Sequence, residues 1–139
     1  MSLTKTVAAD SQLFDDEGNK YLFSALTFKQ IGQYILWYKF KEYREAKELG
    51  VDKDLLKDIY KVCSLKDFSF ESPELINSML TPDGVRQLVY LGLQANHPDI
   101  KEDTVDKIVT VLNFEEVALE VMRQTGYITP EVKDEKSGE

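Results

Sequence analysis

The chain has 139 residues, 42% of them hydrophobic, and 17 basic against 25 acidic side chains give it a net charge of −8. This length is ordinary for a single domain with one core. The acidic excess opposes binding to phosphate backbones and anionic surfaces, so neither nucleic acid nor a membrane is expected as a partner. The sequence has no apolar run long enough to cross a bilayer, no signal-peptide core at its start and one cysteine, Cys63. These features predict a protein of the reducing cytoplasm.

The pattern of apolar and turn-forming residues predicts a mainly α (α+β) fold, a multi-helix bundle with a small N-terminal β-hairpin. Residues 12–126 are the predicted single helical domain. A flexible N-terminus at 1–11 and a flexible acidic tail at 127–139 are expected on either side of it, and residues 131–139 of the tail contain one apolar residue.

The hairpin is expected near the start of the domain, where two short apolar runs at 13–14 and 21–23 flank the turn-rich segment 15–19. Two strands alone are marginal in water. One face of this hairpin must therefore pack on the helices that follow.

The longest predicted helix covers residues 27–49. Thr27 and Gln30 form a capping box at its start, and Gly50 supplies the C-terminal stop. A domain of this size can hardly enclose all the bulky side chains of its first half, which span more than one face: Phe28, Ile31, Tyr34, Ile35, Trp37, Tyr38, Phe40 and Tyr43. Its second half is polar, and two ion pairs at i,i+4 spacing are predicted there: Lys41 with Glu45, and Arg44 with Glu48.

A shorter helix is predicted at residues 52–62, with Asp52 as its N-cap. Its apolar positions are expected to face inward, and these are Leu55, Leu56, Ile59, Tyr60 and Cys63. An irregular link starts at Ser64, and a short helix that starts at Pro73 follows it.

The helix at residues 81–98 is predicted to be the buried centre of the fold, because apolar residues cover most of its surface. Thr81 suits the N-cap and Pro82 the first helical position. Gly92 costs about 1 kcal/mol relative to alanine in a helix, which indicates close approach of another backbone. His97 is expected to act structurally at the helix end, as a protonated imidazole that interacts favourably with the helix dipole.

Two amphipathic helices are predicted after the central one. A capping box of Asp99 and Glu102 opens the first, and a box of Asn113 and Glu116 opens the second, which ends at Gly126. The expected inward positions of the first helix are Val105, Ile108, Val109 and Leu112. Those of the second are Phe114, Val117, Ala118, Val121, Met122 and Thr125.

The sequence indicates no catalytic, cofactor-binding or metal-binding residue, so the protein is not expected to be an enzyme. His97 is the one histidine, which leaves no Ser-His-Asp arrangement. Cys63 lies on an apolar helical face and is interpreted as a buried, inert thiol. The acidic run at 15–19 lacks the spacing of a calcium loop, and the acidic residues at 99–106 are interpreted as helix caps.

Three aromatic residues of the long helix, Trp37, Phe40 and Tyr43, are candidates for binding another protein. Basic residues are interleaved with them, as in surfaces that stack on nucleic acid, but neighbouring glutamates and the net charge oppose that interpretation. The alternative is an amphipathic helix whose basic side chains cover aromatic core residues. Surplus aromatic surface on a helix suits a partner helix better than a phosphate chain.

The order of elements resembles that of a known family. The turn DDEGNK leads through YLF into the TFKQI helix, and LVYLGLQANHPDIKEDTVDKIV and a final amphipathic helix follow. Within residues 88–100, an apolar pair, an aromatic residue and an LGL run precede a proline and an acidic helix start. Over residues 13–126 the chain resembles the tail assembly chaperones of long-tailed bacteriophages and prophages, and the related gene-transfer-agent proteins. Residues 51–80 depart from the shorter members as a helical insertion.

The resemblance implies a non-enzymatic protein that binds the long, apolar, helical tape-measure protein before assembly, keeps it soluble and helps to recruit tail-tube subunits. It implies action in the cytoplasm of a bacterial host and brings no catalytic residue, cofactor or metal with it. Whether the chain forms a homo-oligomer is left open. The alternatives are a structural virion component, such as a connector or tail-completion protein, and a small enzyme or regulator of unknown substrate.

Overall fold

The structure, a computed structural model, describes residues 10–126. Within that range the chain forms a two-stranded antiparallel hairpin followed by seven α-helices. The elements are β1 Ser11–Phe14, β2 Lys20–Phe23, α1 Phe28–Lys39, α2 Lys41–Glu48, α3 Lys53–Ser64, α4 Pro73–Ser78, α5 Pro82–Gln94, α6 Glu102–Ile108 and α7 Phe114–Thr125. The predicted mainly α fold with an N-terminal hairpin is confirmed. Apart from Asp10 and Ser11, the two ends that were expected to be flexible lie outside the described residues.

The hairpin pairs Ser11 with Phe23 at one end and Phe14 with Lys20 at the other. The carboxylate of Asp15 organises the turn, because it accepts the backbone N–H groups of Glu17 and Asn19 at 2.9 Å each. The Asn19 side-chain amide also donates to it at 3.0 Å, and this bond is the main reason that the pKa of Asp15 is lowered. The acidic run thus forms a side-chain-stabilised turn, as the sequence indicates.

Helix α5 is the centre of the core, as predicted. Its apolar side chains are almost completely buried, and the Oγ1 atom of Thr81 caps its start by accepting the N–H of Gly84 at 3.1 Å. The hairpin, α1, α6 and α7 all contact α5. The largest fully buried side chains include Tyr34, Phe23, Leu75, Met79, Leu88, Leu93, Ile108 and Met122.

Two glycines of α5 lie where other groups approach the helix closely. A Cβ atom added to Gly92 would lie 2.1 Å from a ring carbon of Phe23, and the Gly92 carbonyl accepts the N–H of Ser24 at 3.1 Å. A Cβ atom added to Gly84 would lie 1.9 Å from the carbonyl oxygen of Ser78. The close approach predicted at Gly92 is therefore confirmed, and both a ring and a backbone amide make it.

His97 has a structural role, but not in the predicted form. Its Nε2 atom accepts the backbone N–H of Leu22 at 3.0 Å, which requires that this nitrogen carry no proton. The imidazole also packs edge-on against Tyr21, with ring centroids 5.3 Å apart. The expectation of a protonated imidazole facing the helix dipole is wrong, because the ring is directed at the edge of β2.

The predicted long helix is divided into α1 and α2 at Phe40, whose φ of −103° and ψ of 18° depart from helical values. The capping box of Thr27 and Gln30 and the Lys41–Glu45 ion pair, at 3.1 Å, are confirmed. Arg44 does not form the predicted ion pair with Glu48, because its guanidinium donates to the Trp37 carbonyl at 2.6 Å.

Helix α3 is more exposed than the sequence indicates. Cys63 is buried as predicted, but the side chains of Leu55 and Tyr60 are about half exposed. The reason is that α3 packs chiefly against one neighbour, α2. The inward placement expected for Leu55 and Tyr60 is therefore wrong.

The predicted capping boxes of the last two helices do not form. Helix α6 has no side-chain cap, and neither Asp99 nor Asn113 caps a helix through its side chain. The Asn113 amide instead holds the turn between α6 and α7, accepting the N–H of Thr110 at 2.8 Å and donating to the Ile108 carbonyl at 2.7 Å. Because α6 ends at Ile108, Leu112 is 97% exposed rather than inward.

The rest of this region agrees with the prediction. Val105, Ile108 and Val109 are buried in the core. Four of the inward positions expected in α7 are also buried, and these are Val117, Ala118, Val121 and Met122. Helix α7 ends at Gly126, whose φ of 85° is the left-handed conformation that favours glycine.

Candidate protein-binding surface

One side of α1 presents large apolar side chains to the surface. Phe28 is 81% exposed and Leu36 is 58% exposed, with Gly32 between them and Phe40 one turn further on. Residues four apart lie on the same side of a helix, so these positions form a single line. A soluble helix normally directs such a line towards the core.

Two rings from other elements extend this line. The Phe70 ring packs on Phe28 with centroids 5.6 Å apart, and the Tyr60 ring packs on Phe40 at 5.0 Å. Both rings keep a large part of their own surface exposed. We define the α1 outer face as Phe28, Leu36, Phe40, Tyr60 and Phe70.

The α1 outer face has a gap at Gly32. A Cβ atom added there would meet no other atom within 4 Å, so space is open above the helix backbone. Phe28 and Leu36 are two turns apart, about 12 Å along the helix axis. An apolar side chain from a partner helix can enter between them, as a ridge enters a groove in helix packing.

The segment between α3 and α4 is fixed to α1 and α2 by polar and aromatic contacts. Lys66 forms an ion pair with Glu42, and this bond raises the pKa of Lys66. The Phe68 ring packs on Tyr38 with centroids 5.2 Å apart. These contacts hold the irregular segment along α1, which places Phe70 over Phe28.

Two of the three residues predicted to bind a partner belong to this region. The rings of Phe40 and Tyr43 both contact Tyr60, at 5.0 Å and 5.2 Å between centroids. Trp37 is separate from them, because its ring packs against Tyr34 at 5.4 Å and the Arg44 guanidinium lies 4.7 Å from its centroid. All three side chains are partly buried, so their contribution to binding stays a prediction.

The most exposed members of the α1 outer face were not predicted as binding residues from the sequence. The shared position of Phe28 and Leu36 could have been predicted, because residues 28, 32, 36 and 40 lie on one side of a helix and are Phe, Gly, Leu and Phe. The positions of Tyr60 and Phe70 could not, because they depend on how α3 and the following segment fold back on α1.

Trp37 lines an open groove of about 620 Å³ between α2 and the α5–α6 region. The basic side chains of this groove are each held by a neighbour. Arg86 contacts Asp106 at 2.6 Å, Lys41 contacts Glu45, and Arg44, whose pKa burial lowers, stacks on Trp37. These contacts hold the basic groups in separate pairs and do not direct them at one reacting atom.

Exposed apolar side chains are concentrated in one part of the chain. Among residues 10–126, thirteen large hydrophobic side chains are exposed, and eight of them lie between Phe28 and Phe70. These eight are Phe28, Leu36, Leu49, Leu55, Tyr60, Val62, Leu65 and Phe70. Most of this exposed apolar surface lies on α1, α3 and the segment after α3, and Phe28 is its one member from the bulky set named in the first half of the predicted long helix.

No protein-family model matches the chain, and neither a curated protein nor a solved structure is significantly similar to it. The resemblance to tail assembly chaperones therefore stays a prediction. Within the described residues, every helix is too short or too polar to serve as a membrane span.

Proposed function

We propose that the protein is a non-enzymatic chaperone of phage or prophage tail assembly, which covers an apolar helical segment of the tape-measure protein in the bacterial cytoplasm until tail-tube subunits are recruited. The observation that carries the proposal is the α1 outer face. An apolar line with a gap is the shape that accepts the side chains of a second helix.

The energetics of such a contact are favourable. Burying a large apolar side chain contributes about 1.5–3 kcal/mol, so Phe28 and Leu36 together supply several kcal/mol on docking. The partner gains in the same way, because an extended apolar helix aggregates when no surface covers it.

The test is co-expression with the tape-measure protein of the phage or prophage that carries the gene. With the wild-type chain, we expect the tape-measure protein to move from the insoluble to the soluble fraction and to co-purify with the chain. The double substitution Phe28→Ser with Leu36→Ser should abolish this effect and leave the fold intact, since both side chains are largely exposed.

Leu112→Ser is the matched control, because Leu112 is also exposed but lies at the turn between α6 and α7, outside the α1 outer face. It should leave co-purification unchanged. Unchanged solubility of the tape-measure protein in the presence of the wild-type chain would refute the proposal. Mass spectrometry of mature particles distinguishes an assembly chaperone from a structural virion component, because the virion component stays in the particle and the chaperone leaves it.

A further inference from the structure

The two strands of the hairpin differ in whether the backbone groups on their outer edges have hydrogen-bond partners. Hydrogen-bonding direction alternates along a strand. On the outer side of β2, the end of α5 and the residues just after it bond the backbone of Leu22 and that of Ser24, which follows the strand. The Leu22 N–H donates to His97, the Leu22 carbonyl accepts from the Asn96 amide at 3.2 Å, and the Ser24 N–H donates to Gly92. The edge of β2 is therefore covered from Leu22 to Ser24.

The edge of β1 is open. The register places the backbone groups of Ser11 and Leu13 towards β2 and those of Gln12 and Phe14 away from it. Within residues 10–126, no group bonds to the backbone N–H or carbonyl of either outward residue. An unpaired strand edge is a template for adding another strand.

A groove of about 500 Å³ lies between this edge and α7. The side chains of Ser11 and Leu13 are buried on the helical side of the hairpin, and Asn113, Glu116 and Val117 form the opposite wall. A strand added beside β1 would continue the sheet over this groove. Its inward side chains would then meet α7.

The charge around the groove is negative. Asp10 and Glu116 carry exposed carboxylates, and the Glu120 carboxylate is engaged by Arg123. The turn that follows β1 adds Asp16 and Glu17. A strand in this position is stabilised if it carries basic residues, and opposed if it carries acidic ones.

The same charges oppose pairing with a second copy of the chain. A two-fold axis through Leu13 would pair Gln12 with Phe14 of the other copy, because an antiparallel edge-to-edge contact is self-complementary. That register brings Asp10 of one copy towards the acidic turn at residues 15–17 of the other copy, and like charges brought close together oppose the contact.

From the open edge, the groove and its charge, we propose that β1 binds an extended segment of another protein by strand addition, and that this segment alternates apolar and basic residues. Backbone bonds to Gln12 and Phe14 supply affinity, while Glu116 and Asp10 select for basic side chains. This site is distinct from the α1 outer face, which suits a helix.

The first measurement is amide hydrogen exchange by NMR on the free full-length chain. We expect fast exchange at Gln12 and Phe14, and slow exchange at Leu13 and Leu22, whose N–H groups are bonded within the fold. Protection of Gln12 and Phe14 in the free protein would show that the chain's own ends or a second copy already cover the edge, and would overturn the proposal.

The second measurement is fluorescence anisotropy with a labelled eight-residue peptide of alternating valine and lysine. We expect it to bind and to slow amide exchange at Gln12 and Phe14, whereas a valine–glutamate peptide should not bind. Failure of the valine–lysine peptide to bind at millimolar concentration overturns the proposal.

Two pairs of variants locate the site. Gln12→Pro removes an outward N–H and leaves the bonds between β1 and β2 in place, so peptide affinity should fall about tenfold while Gln12→Ala binds as wild type.

Glu116→Gln should weaken binding about threefold, whereas Glu115→Gln, on the same helix but outside the groove, should not. Circular dichroism checks that each variant is folded. Equal affinity across the Glu116 and Glu115 pair, or across the two Gln12 variants, would contradict the assignment.

Discussion

Replacing Gly92 by alanine tests the packing of the hairpin on α5. In an open helical position this change stabilises a protein by about 1 kcal/mol. Here the new methyl group would lie 2.1 Å from a ring carbon of Phe23, and both the ring and the helix are fixed. Phe23 is fully buried, and the bond from Ser24 to the Gly92 carbonyl resists a shift of the backbone.

The expected change in stability is the steric cost of the new methyl group minus the gain in helix propensity. Overpacking a core costs about 1–3 kcal/mol, and a contact this short places Gly92→Ala at the upper end. After subtraction of the gain in helix propensity, we expect the free energy of unfolding to fall by about 2 kcal/mol. With a denaturant slope of about 1.5 kcal/mol/M in urea, the unfolding midpoint should fall by about 1 M.

Urea unfolding followed by circular dichroism measures this shift, and Gly32→Ala is the matched control. Gly32 also lies inside a helix, but no atom lies within 4 Å of the position of its Cβ, so the control should raise stability by about 0.5–1 kcal/mol. Combining Gly92→Ala with Phe23→Leu should cost less than the sum of the two single changes, because the smaller side chain makes room. A Gly92→Ala protein as stable as wild type would refute the packing described for Phe23.

Three further predictions concern a hydrogen bond in the core, the loss of stability at acid pH and the local opening of α3. Tyr34→Phe should lower the free energy of unfolding by about 1 kcal/mol in urea titrations, because it removes a buried bond of 2.8 Å to the Ser78 hydroxyl. The Arg123 hydrogen bond lowers the pKa of Glu120, so the stability it confers is present above the unfolded value of 4.5 and is lost as pH falls through the folded pKa. The difference in urea midpoint between wild type and Glu120→Gln should therefore be largest near pH 7 and should disappear as the pH falls below 4.5. The Cys63 thiol, though buried, should react with a disulfide reagent through a local opening of lower free energy than global unfolding, because α3 packs chiefly on α2.

Each of these has a clear contrary result. Unchanged stability of Tyr34→Phe would mean that the hydroxyl pair is not formed in the core. A midpoint gap at Glu120 that does not change with pH would exclude the charge-assisted bond to Arg123. Labelling of Cys63 with the full denaturant dependence of global unfolding would show that α3 is as firmly held as the core.

The parts of the fold that the sequence predicts well are those set by residues close together in the chain. Thr27 and Thr81 act as N-caps because the N–H groups that they accept lie three residues ahead. The turn at Asp15 is closed by bonds to residues two and four positions further on. Helix α5 is equally clear, since a segment that is apolar on nearly all sides has to be buried.

The errors arise where the outcome depends on a partner that is distant in sequence. Phe40 interrupts a helix whose end signals are both correct, and its ring packs on Tyr60, 20 positions away. Asn113 has the sequence of a helix cap, but the early end of α6 gives its amide other groups to bond. The exposure of Leu55 follows from α3 having one main neighbour, which periodicity alone does not reveal.

The candidate surface also combines features set by nearby residues with features set by partners that are distant in sequence. Among the eight bulky side chains named in the first half of the predicted long helix, Phe28 is exposed, Ile31 and Tyr34 are buried, and the other five are partly buried. The grouping of Phe40 and Tyr43 with Tyr60, and the separation of Trp37 from them, depend on the break at Phe40 and on the path of α3.

The two crowded glycines of α5 suggest how distant relatives of this chain can be recognised. Gly84 lies under the Ser78 carbonyl and Gly92 under the Phe23 ring, so neither position tolerates a side chain unless its neighbour changes too. Surface residues are free to diverge, whereas two glycines eight positions apart in an apolar helix are tied to the architecture. A search built on that spacing, and on a large aromatic residue at the end of a preceding hairpin, should detect descendants of the same ancestor long after overall identity has been lost.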